Sequence, residues 1–244
     1  SAASDVYKRQ AKRIEKSLDE LDTRASELSG ILITHEHSDH IKGLGVMLRR
    51  YGLPVFATAK TIDAVLDSRY IGKVDKDLFH PIEADHPFQL DDITVEASHV
   101  WHDAADPVCY SFCSEGFKAS IATDLGDYDE YLVEKIRDSH ILFVEANHDV
   151  NMLQVGSYPY YLKQRILGDR GHLSNENAGK LLCRLLHDDM KAVFLGHLSK
   201  ENNYEALAYE TVCSEVTLGD NPYRSKDFQI QVAKRDSISD VVVL

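Results

Sequence analysis

The chain has 244 residues, of which 43% are hydrophobic and 27% charged, and its formal net charge is −13. This composition is typical of a soluble globular protein that buries one large core. The acidic balance argues against a protein that coats nucleic acid through a broad basic face. An enzyme that holds a few phosphates in one cleft is still allowed, because bound cations dominate the field of such a cleft.

The apolar runs are too short to span a bilayer, with Ile141–Val144 and Val241–Leu244 among the longest. The sequence does not start with the basic and apolar regions of a secretory signal, so we expect a cytoplasmic protein without a membrane segment. Four cysteines form no CxxC pair, and we expect reduced thiols at Cys109, Cys113, Cys183 and Cys213.

Helical and strand patterns alternate along the chain. Ile14, Leu18 and Leu21 have helical spacing and predict a first helix over about residues 6–21. Further predicted helices are 43–51, Thr61–Ser68, Tyr128–Asp138, Asn177–His187 and Tyr204–Val216. The predicted strands are Ile31–Ile33, Pro54–Thr58, Ile93–Ala97, Tyr110–Phe112, Ala119–Ala122, Ile141–Val144, Ala192–Leu195 and Phe228–Val232. Strands mixed with helices throughout predict an α/β protein with two sheets covered by helices.

The segment 34–40, with the sequence THEHSDH, carries the strongest chemical signal in the chain. It places His35, His37, Asp39 and His40 directly after a predicted strand. Three imidazoles and one carboxylate at this spacing supply the nitrogen and oxygen ligands that two neighbouring metal ions need. The alternative is a histidine-rich surface turn without a metal.

Three further predicted strands end near a potential ligand. His102 follows the strand that ends near His99, Asp124 follows Ala119–Ala122, and His197 follows Ala192–Leu195. A single histidine at a strand end is more often structural than a ligand. Three such strand ends in one chain favour the interpretation that all three residues bind metal.

With this order of ligands, the chain resembles the metallo-β-lactamase superfamily over essentially its whole length. The segments 34–45, 145–149, 171–175 and 197–203 resemble the YycJ/WalJ branch, which is bacterial and associated with DNA exonuclease activity and with regulation of the cell wall and of division. The resemblance implies an αββα sandwich of two mixed sheets. It also implies two divalent ions, Zn or Mn, one held by His35, His37 and His102, the other by Asp39, His40 and His197, with Asp124 bridging.

The amino-terminal region departs from the family pattern. Family members begin with a β-hairpin that has a Ser/Gly-rich turn and a strand ending in Asp-Ala-Gly, and this chain has Ser1–Gln10 in that place. We therefore expect the first hairpin to be missing, Ser1–Gln10 to be a remnant from outside the family, and residues 11–244 to form a single domain. An unpaired sheet edge would follow.

Glu145 and His172 separate a nuclease from a lactamase in this resemblance. Their sequence contexts resemble two loops of the tRNA 3′-processing nucleases, in which a carboxylate orients an imidazole near the leaving oxygen. His172 has a second interpretation as the neighbour of a helix cap at Ser174. Ser174, Ser199 and Asn203 are candidate phosphate ligands, although Ser199 and Asn203 suit capping of the helix from Tyr204 equally well.

The segment 158–170 has a mixture of cations and tyrosines that the rest of the chain lacks. Lys163, Arg165 and Arg170 with Tyr158, Tyr160 and Tyr161 predict a wall that grips phosphates and stacks bases. A solvated amphipathic helix is an equally good interpretation. The role of His148 is open, and we expect surface or structural roles for His80, His86, His99, His140 and His187.

These features predict a phosphodiesterase, most simply an exonuclease acting on DNA or RNA. In the predicted mechanism a hydroxide shared by two ions about 3.5–4 Å apart attacks phosphorus, Asp39 accepts a proton, and His172, oriented by Glu145, protonates the leaving oxygen. The alternatives are a hydrolase of small esters or lactones on the same fold, and a non-catalytic metal-binding regulator. A nucleic-acid substrate is the expected partner, and the sequence identifies no protein partner.

Overall fold

The structure is a computed structural model that describes residues 2–242, with the backbone alone for residues 2–9. The chain divides into two compact units. The first contains the chain up to Ala97 together with Ala104–Val108 and Asp236–Ile238. The second contains Ser98–Asp103, Cys109–Arg235 and the tail from Ser239. The prediction of one domain over residues 11–244 stays a prediction.

The first unit contains the amino-terminal helices and a small parallel sheet. Its helices are α1 (Ala2–Asp19), α2 (Ser38–Ile41), α3 (Leu44–Tyr51) and α4 (Ala59–Asp67). Strands β1 (Ile31–Leu32), β2 (Val55–Thr58) and β3 (Phe79–Ile82) pair in parallel in the order β1-β2-β3. Strand β4 (Phe88–Leu90) pairs antiparallel with β5 (Ile93–His99).

The core of the first unit lies between this parallel sheet and helices α2 to α4. Val55 and Ala57 from β2 pack in one buried cluster with Ile41, Leu48 and Val65 from the helices. Burial of such aliphatic side chains is the main stabilising term for a small sheet. The sheet therefore fixes the carboxyl end of β1, from which the segment with His35 emerges.

The second unit is built on a larger, mixed sheet. Strands β6 (Val108–Ser114), β7 (Phe117–Ala122), β8 (Ile141–Glu145), β9 (Ala192–Gly196) and β10 (Ile230–Val232) follow the order β10-β9-β8-β7-β6. The pair β6 and β7 is antiparallel, and the other pairs are parallel. The helices are α5 (Glu130–Ile136), α6 (Val150–Val155), α7 (Tyr160–Leu167), α8 (Asn175–Leu185) and α9 (Glu205–Leu218).

Helix α8 shows how the second unit packs. Leu181, Leu182 and Leu185 on this helix are buried, and they share one cluster with Leu142, Val144 and other residues of the central strands. These three leucines therefore face the core. A continuous aliphatic run such as β8 is expected where a strand is covered on both faces.

The α/β prediction is confirmed, and most element boundaries agree within two or three residues. Helix α1 begins at Ala2, earlier than predicted, so the backbone at 2–10 is helical; its origin outside the family stays a prediction. Strands β3 and β4 and helix α6 were not predicted, because β3 contains Pro81 and the other two are short. The four cysteines form no disulfide. In the part of the chain that is described, no helix is long and apolar enough to cross a membrane.

Candidate active site

The histidine cluster of the first unit is tightly packed. His35 is buried, and its ring centroid lies 4.6 Å from that of His37 and 4.1 Å from that of His40. The hydroxyl of Thr34 lies 3.0 Å from His35 Nδ1, and Asp39 Oδ2 lies 3.8 Å from His40 Nε2. His37 immediately precedes α2, so Asp39 and His40 are held by that short helix. The four predicted ligands of segment 34–40 are therefore neighbours in space.

Glu145 is the centre of the polar cluster in the second unit. This carboxylate is completely buried at the end of β8. Its Oε1 accepts hydrogen bonds from His172 Nδ1 at 2.9 Å and from His197 Nδ1 at 2.5 Å. Its Oε2 accepts from the backbone amides of Leu125 at 2.7 Å and Leu173 at 3.3 Å. The predicted pairing of Glu145 with His172 is present, and the sequence missed that Glu145 also orients His197.

The charges of this cluster stabilise one another. Burial favours the neutral form of Glu145, but hydrogen bonds from His172 and His197 outweigh it and hold the pKa of Glu145 well below its usual value. Burial also opposes a charged His172, yet the hydrogen bond and charge of Glu145 raise the pKa of His172 above its ordinary value. An imidazole in this environment retains a proton that it can donate.

Asp124 lies between two imidazoles of the second unit. Its Oδ1 is 3.6 Å from His102 Nε2 and 3.7 Å from His197 Nε2. Two ligands of one tetrahedral ion, each about 2.0–2.1 Å from it, are about 3.4 Å apart. The Asp124–His102 spacing and the Asp124–His197 spacing therefore each suit a pair of ligands on one ion. Asp124, Glu145, His172 and His197 have ligand atoms within 4.8 Å of one another.

In three of the predicted histidine ligands, a partner at Nδ1 fixes the orientation of the ring and therefore the direction of Nε2. His102 Nδ1 lies 3.1 Å from the carbonyl oxygen of Gly171, and His197 Nδ1 lies on Glu145. His35 Nδ1 has the hydroxyl of Thr34 in the same role. When a second group holds Nδ1 in this way, Nε2 is directed to the metal. The residues therefore fit a divalent ion.

The backbone is strained at two of these positions. Asp124 has φ of 58° and His197 has φ of 56°, in the left-handed region. Such conformations cost on the order of 1–3 kcal/mol in non-glycine residues and concentrate at functional sites. His197 comes directly after β9 and Asp124 two residues after β7, where an extended backbone would direct the side chain elsewhere.

A close approach of two glycines brings the His172 loop to the Asp124 loop. A side chain at Gly126 would lie 2.4 Å from the backbone nitrogen of Gly171, and one at Gly171 would lie 2.2 Å from the carbonyl oxygen of Ile166. Neither position has room for a Cβ atom. The backbone at Gly126 thus lies close to that at Gly171, and His172 Nδ1 lies 3.9 Å from Asp124 Oδ1.

A network of buried amides joins the loops that follow β8 and β9 to the start of α8. Asn203 Nδ2 donates to the carbonyl oxygens of Ala146 and Asn147 and to Asn175 Oδ1, while Asn175 Nδ2 donates back to Asn203 Oδ1. Asn147 Nδ2 donates to the carbonyl oxygen of His197 at 2.7 Å. The loops that carry Glu145, His172 and His197 are thus held by one set of hydrogen bonds.

The three candidate phosphate ligands near this network have internal partners. Ser174 Oγ accepts from the Asn177 amide and caps α8, and Ser199 Oγ accepts from the Asn202 amide. The Asn203 side chain belongs to the network described above. Capping by Ser174 is confirmed, and contact of any of the three with substrate stays a prediction.

Four members of the predicted phosphate-gripping wall lie on helix α7, in which no residue is buried, while Tyr158 and Arg170 flank that helix. Tyr160 and Tyr161 are exposed, as base stacking requires. Lys163 Nζ donates to the carbonyl oxygen of Gln154, and Arg165 forms a two-bond ion pair with Asp103. Both interpretations of this segment, an exposed helix and a binding wall, therefore describe the same element.

His148 differs from the other histidines that are not predicted to bind metal. It is 1% exposed, and neither ring nitrogen has a hydrogen-bond partner among the side chains that the structure describes. Burial lowers the pKa of His148 to about 4. By contrast, His140 accepts from the Lys118 amide and His187 lies 3.1 Å from the Ser139 carbonyl oxygen, in agreement with structural roles.

Comparison with known proteins agrees with this geometry. Residues 5–197 match the family model described as the beta-lactamase superfamily domain. The chain is 41% identical over 209 residues to the exodeoxyribonuclease WalJ of Streptococcus pneumoniae, covering 86% of this chain and 78% of that protein. It is 39% identical over 201 residues to the exodeoxyribonuclease YycJ of Bacillus anthracis, covering 82% and 75%. Human tRNase Z, short form, has the same fold, with a TM-score of 0.58 at 16% identity over 93% of this chain and 84% of that one.

The fold and the clustered ligands place the chain among the hydrolases of the metallo-β-lactamase superfamily. Within that superfamily the chain belongs to the YycJ/WalJ type. Both family predictions from the sequence are confirmed.

Proposed function

We propose that this protein is a metal-dependent exonuclease that hydrolyses phosphodiester bonds of DNA. The observation that carries the proposal is the Glu145 cluster, in which one buried carboxylate holds His172 and His197 beside Asp124. This arrangement combines a predicted metal ligand with a second imidazole that has the properties of a general acid. The 41% identity to an exodeoxyribonuclease supports DNA as the substrate.

The metal ligands of this proposal follow the family's motif order. One ion is assigned to His35, His37 and His102, and the other to Asp39, His40 and His197, with Asp124 serving both. The native ions are Zn or Mn, and the proposed compartment is the cytoplasm. The hydrogen-bonded Nδ1 atoms of His35, His102 and His197 support the histidine assignments.

The protein's own residues supply the proton steps. Bound divalent ions would lower the pKa of a water molecule to about 7 and neutralise charge on the phosphoryl oxygens. Asp39, whose side chain is largely exposed, accepts the proton released as the nucleophile forms. His172 donates a proton to the departing sugar oxygen, and Glu145 holds the imidazole in place through Nδ1.

Nuclease activity is tested by incubating the metal-loaded protein with end-labelled duplex DNA, end-labelled RNA and a chromogenic ester. We expect progressive release of nucleotides from DNA ends, abolished by a chelator and restored by Mn²⁺ or Zn²⁺. Hydrolysis of the ester without cleavage of either nucleic acid would replace this proposal by a small-molecule hydrolase. A folded, metal-loaded protein that hydrolyses none of the three would favour a non-catalytic regulator.

A further inference from the structure

An open cleft in the second unit lies beside the candidate active site. It has a volume of about 410 Å³, within the size range of sites that bind a small ligand. We call it the Trp101 cleft; its walls include Trp101, Asp103, Gln164, Arg165, Asp169 and Arg170. None of these wall residues is a predicted metal ligand or general acid.

The position of the Trp101 cleft ties it to the proposed reaction. Trp101 and Asp103 are the chain neighbours of His102, and Asp103 Oδ1 lies 3.7 Å from His102 Nε2. Arg170, another wall residue, precedes His172 by two residues. A ligand in the cleft would therefore lie next to the phosphodiester on which His102 and His172 act.

Trp101 presents a fixed aromatic surface. The residue is 46% exposed, and its Nε1 donates to Asp129 Oδ2 at 3.2 Å. Its carbonyl oxygen accepts from the Gly126 amide at 2.8 Å. The polar edge of the indole is thus already satisfied, and the exposed remainder is apolar ring. An exposed ring whose orientation is fixed in this way is a suitable platform for stacking a nucleobase.

The two arginines of the cleft are not equivalent. Arg165 forms two hydrogen bonds to the carboxylate of Asp103, so its charge is balanced within the wall. Arg170 is exposed, and its side chain forms no hydrogen bond or ion pair with any side chain or backbone group in the described part of the chain. Guanidinium groups bind phosphate oxygens readily. Arg170 is therefore the cation of this cleft that is available to a phosphate.

We propose that the Trp101 cleft is a nucleotide subsite that holds one deoxynucleotide of the DNA, with its base stacked on Trp101 and its phosphate at Arg170. The inference rests on the proposed function and extends it. It adds to that function a residue that recognises the base without reading its identity. Stacking of this kind changes affinity by about 5- to 150-fold for each base.

Trp101 is the single tryptophan of the chain, so its fluorescence reports directly on the cleft. The metal-loaded wild-type protein is titrated with deoxyadenosine monophosphate, deoxyribose 5-phosphate and inorganic phosphate, with excitation at the red edge of tryptophan absorption. We expect saturable quenching by the nucleotide and little change with the two ligands that lack a base. Arg170→Gln should weaken nucleotide binding about 10- to 100-fold, as expected for a charge-assisted contact.

Kinetics of DNA degradation provide the second readout. Trp101→Ala should raise KM for DNA by about 5- to 150-fold with little change in kcat, while Trp101→Phe should keep most of the affinity. The penalty should disappear on DNA whose terminal nucleotide is abasic. Tyr209→Ala is the matched control, because Tyr209 is a partly exposed aromatic of α9 that does not line the cleft.

The outcomes separate this inference from the proposed function. If the wild type degrades DNA and Trp101→Ala retains its metal and an unchanged KM, the subsite is wrong and the nuclease stands. Equal quenching by deoxyribose 5-phosphate and by the nucleotide would also overturn the stacking assignment. Saturable quenching by the nucleotide in a protein that degrades no DNA would support the subsite and contradict the nuclease.

Discussion

Replacement of Glu145 by Gln tests the central carboxylate with the smallest possible change of shape. Glu145 accepts four hydrogen bonds, two from imidazoles on Oε1 and two from backbone amides on Oε2. A glutamine keeps one acceptor oxygen and turns the other position into an NH₂ donor. Whichever way the amide is oriented, two of the four donors then face another donor.

The expected loss of stability follows from these contacts. A hydrogen bond to a charged group contributes about 1.5–3 kcal/mol, so loss of two lowers the free energy of unfolding by about 3–6 kcal/mol. For a protein of this size each kcal/mol lowers Tm by about 2–4 °C, which predicts a fall of roughly 6–24 °C. Where the NH₂ group faces the imidazoles, His197 also loses the acceptor that orients it, and loss of such a partner typically lowers metal affinity about 10- to 100-fold.

Thermal and urea unfolding of the wild type and Glu145→Gln, each with and without metal, measures both effects, and elemental analysis gives the metal content. The control is Glu134→Gln on α5, because Glu134 is exposed and forms a surface ion pair with Arg137 at 2.8 Å. Glu134→Gln should lower the free energy of unfolding by less than about 1 kcal/mol. A Glu145→Gln protein with the wild-type Tm and full metal content would refute the four-bond account.

Four further predictions concern the same region. Elemental analysis of folded protein from metal-supplemented buffer should give about two ions per chain, and a value near zero would contradict the ligand assignment. Asp124→Ala should reduce metal content and turnover more than loss of any other single ligand, because a bridging carboxylate serves both ions; full retention of both ions would exclude bridging. His172→Ala should keep the metal and slow DNA cleavage by about 10²–10⁴, but slow a nitrophenyl phosphodiester far less, since nitrophenolate departs without protonation; equal losses would mean that His172 positions substrate. The pKa of His148 is lowered to about 4, so this imidazole stays neutral in the folded protein while the unfolded chain binds a proton near pH 6.5. The free energy of unfolding should therefore fall as pH falls from 6.5 towards 4, by up to about 3 kcal/mol. Urea titrations at each pH should show a smaller fall for His148→Phe.

The strand ends and their histidines could be predicted because local pattern and function coincide there. Ile141–Val144 reads as a buried strand from four apolar residues, and Ala192–Leu195 reads in the same way. Parallel strands place their carboxyl ends at one edge of a sheet. Strands β8 and β9 pair in parallel, so Glu145 at the end of β8 and His197 directly after β9 lie at the same edge of the sheet.

The remaining features depend on contacts that no local pattern records. The bond from Glu145 to His197 spans 52 residues, and the carbonyl contact of His102 with Gly171 spans 69. The sequence predicts Asn203 at a phosphate or a helix cap, and the structure adds that its amide joins three segments of the chain. Asparagine is common in loops for many reasons, so the sequence carries no sign of such a network. For the contact at Gly171, the available sequence signal is the glycine itself, since a glycine allows another part of the backbone to approach closely.

The left-handed backbone at Asp124 and His197 lowers the stability of the fold at the same residues that the proposed activity requires. Each residue holds a backbone conformation that is unfavourable for a residue with a Cβ atom. A glycine at either position would remove the ligand and relieve the backbone at the same time, so an inactive variant would also be harder to unfold than the metal-free wild type. Selection for thermal stability alone would therefore act against the residues of the metal centre. Metal supply during such a selection decides whether they are kept, because ligand binding adds to the stability of the folded state.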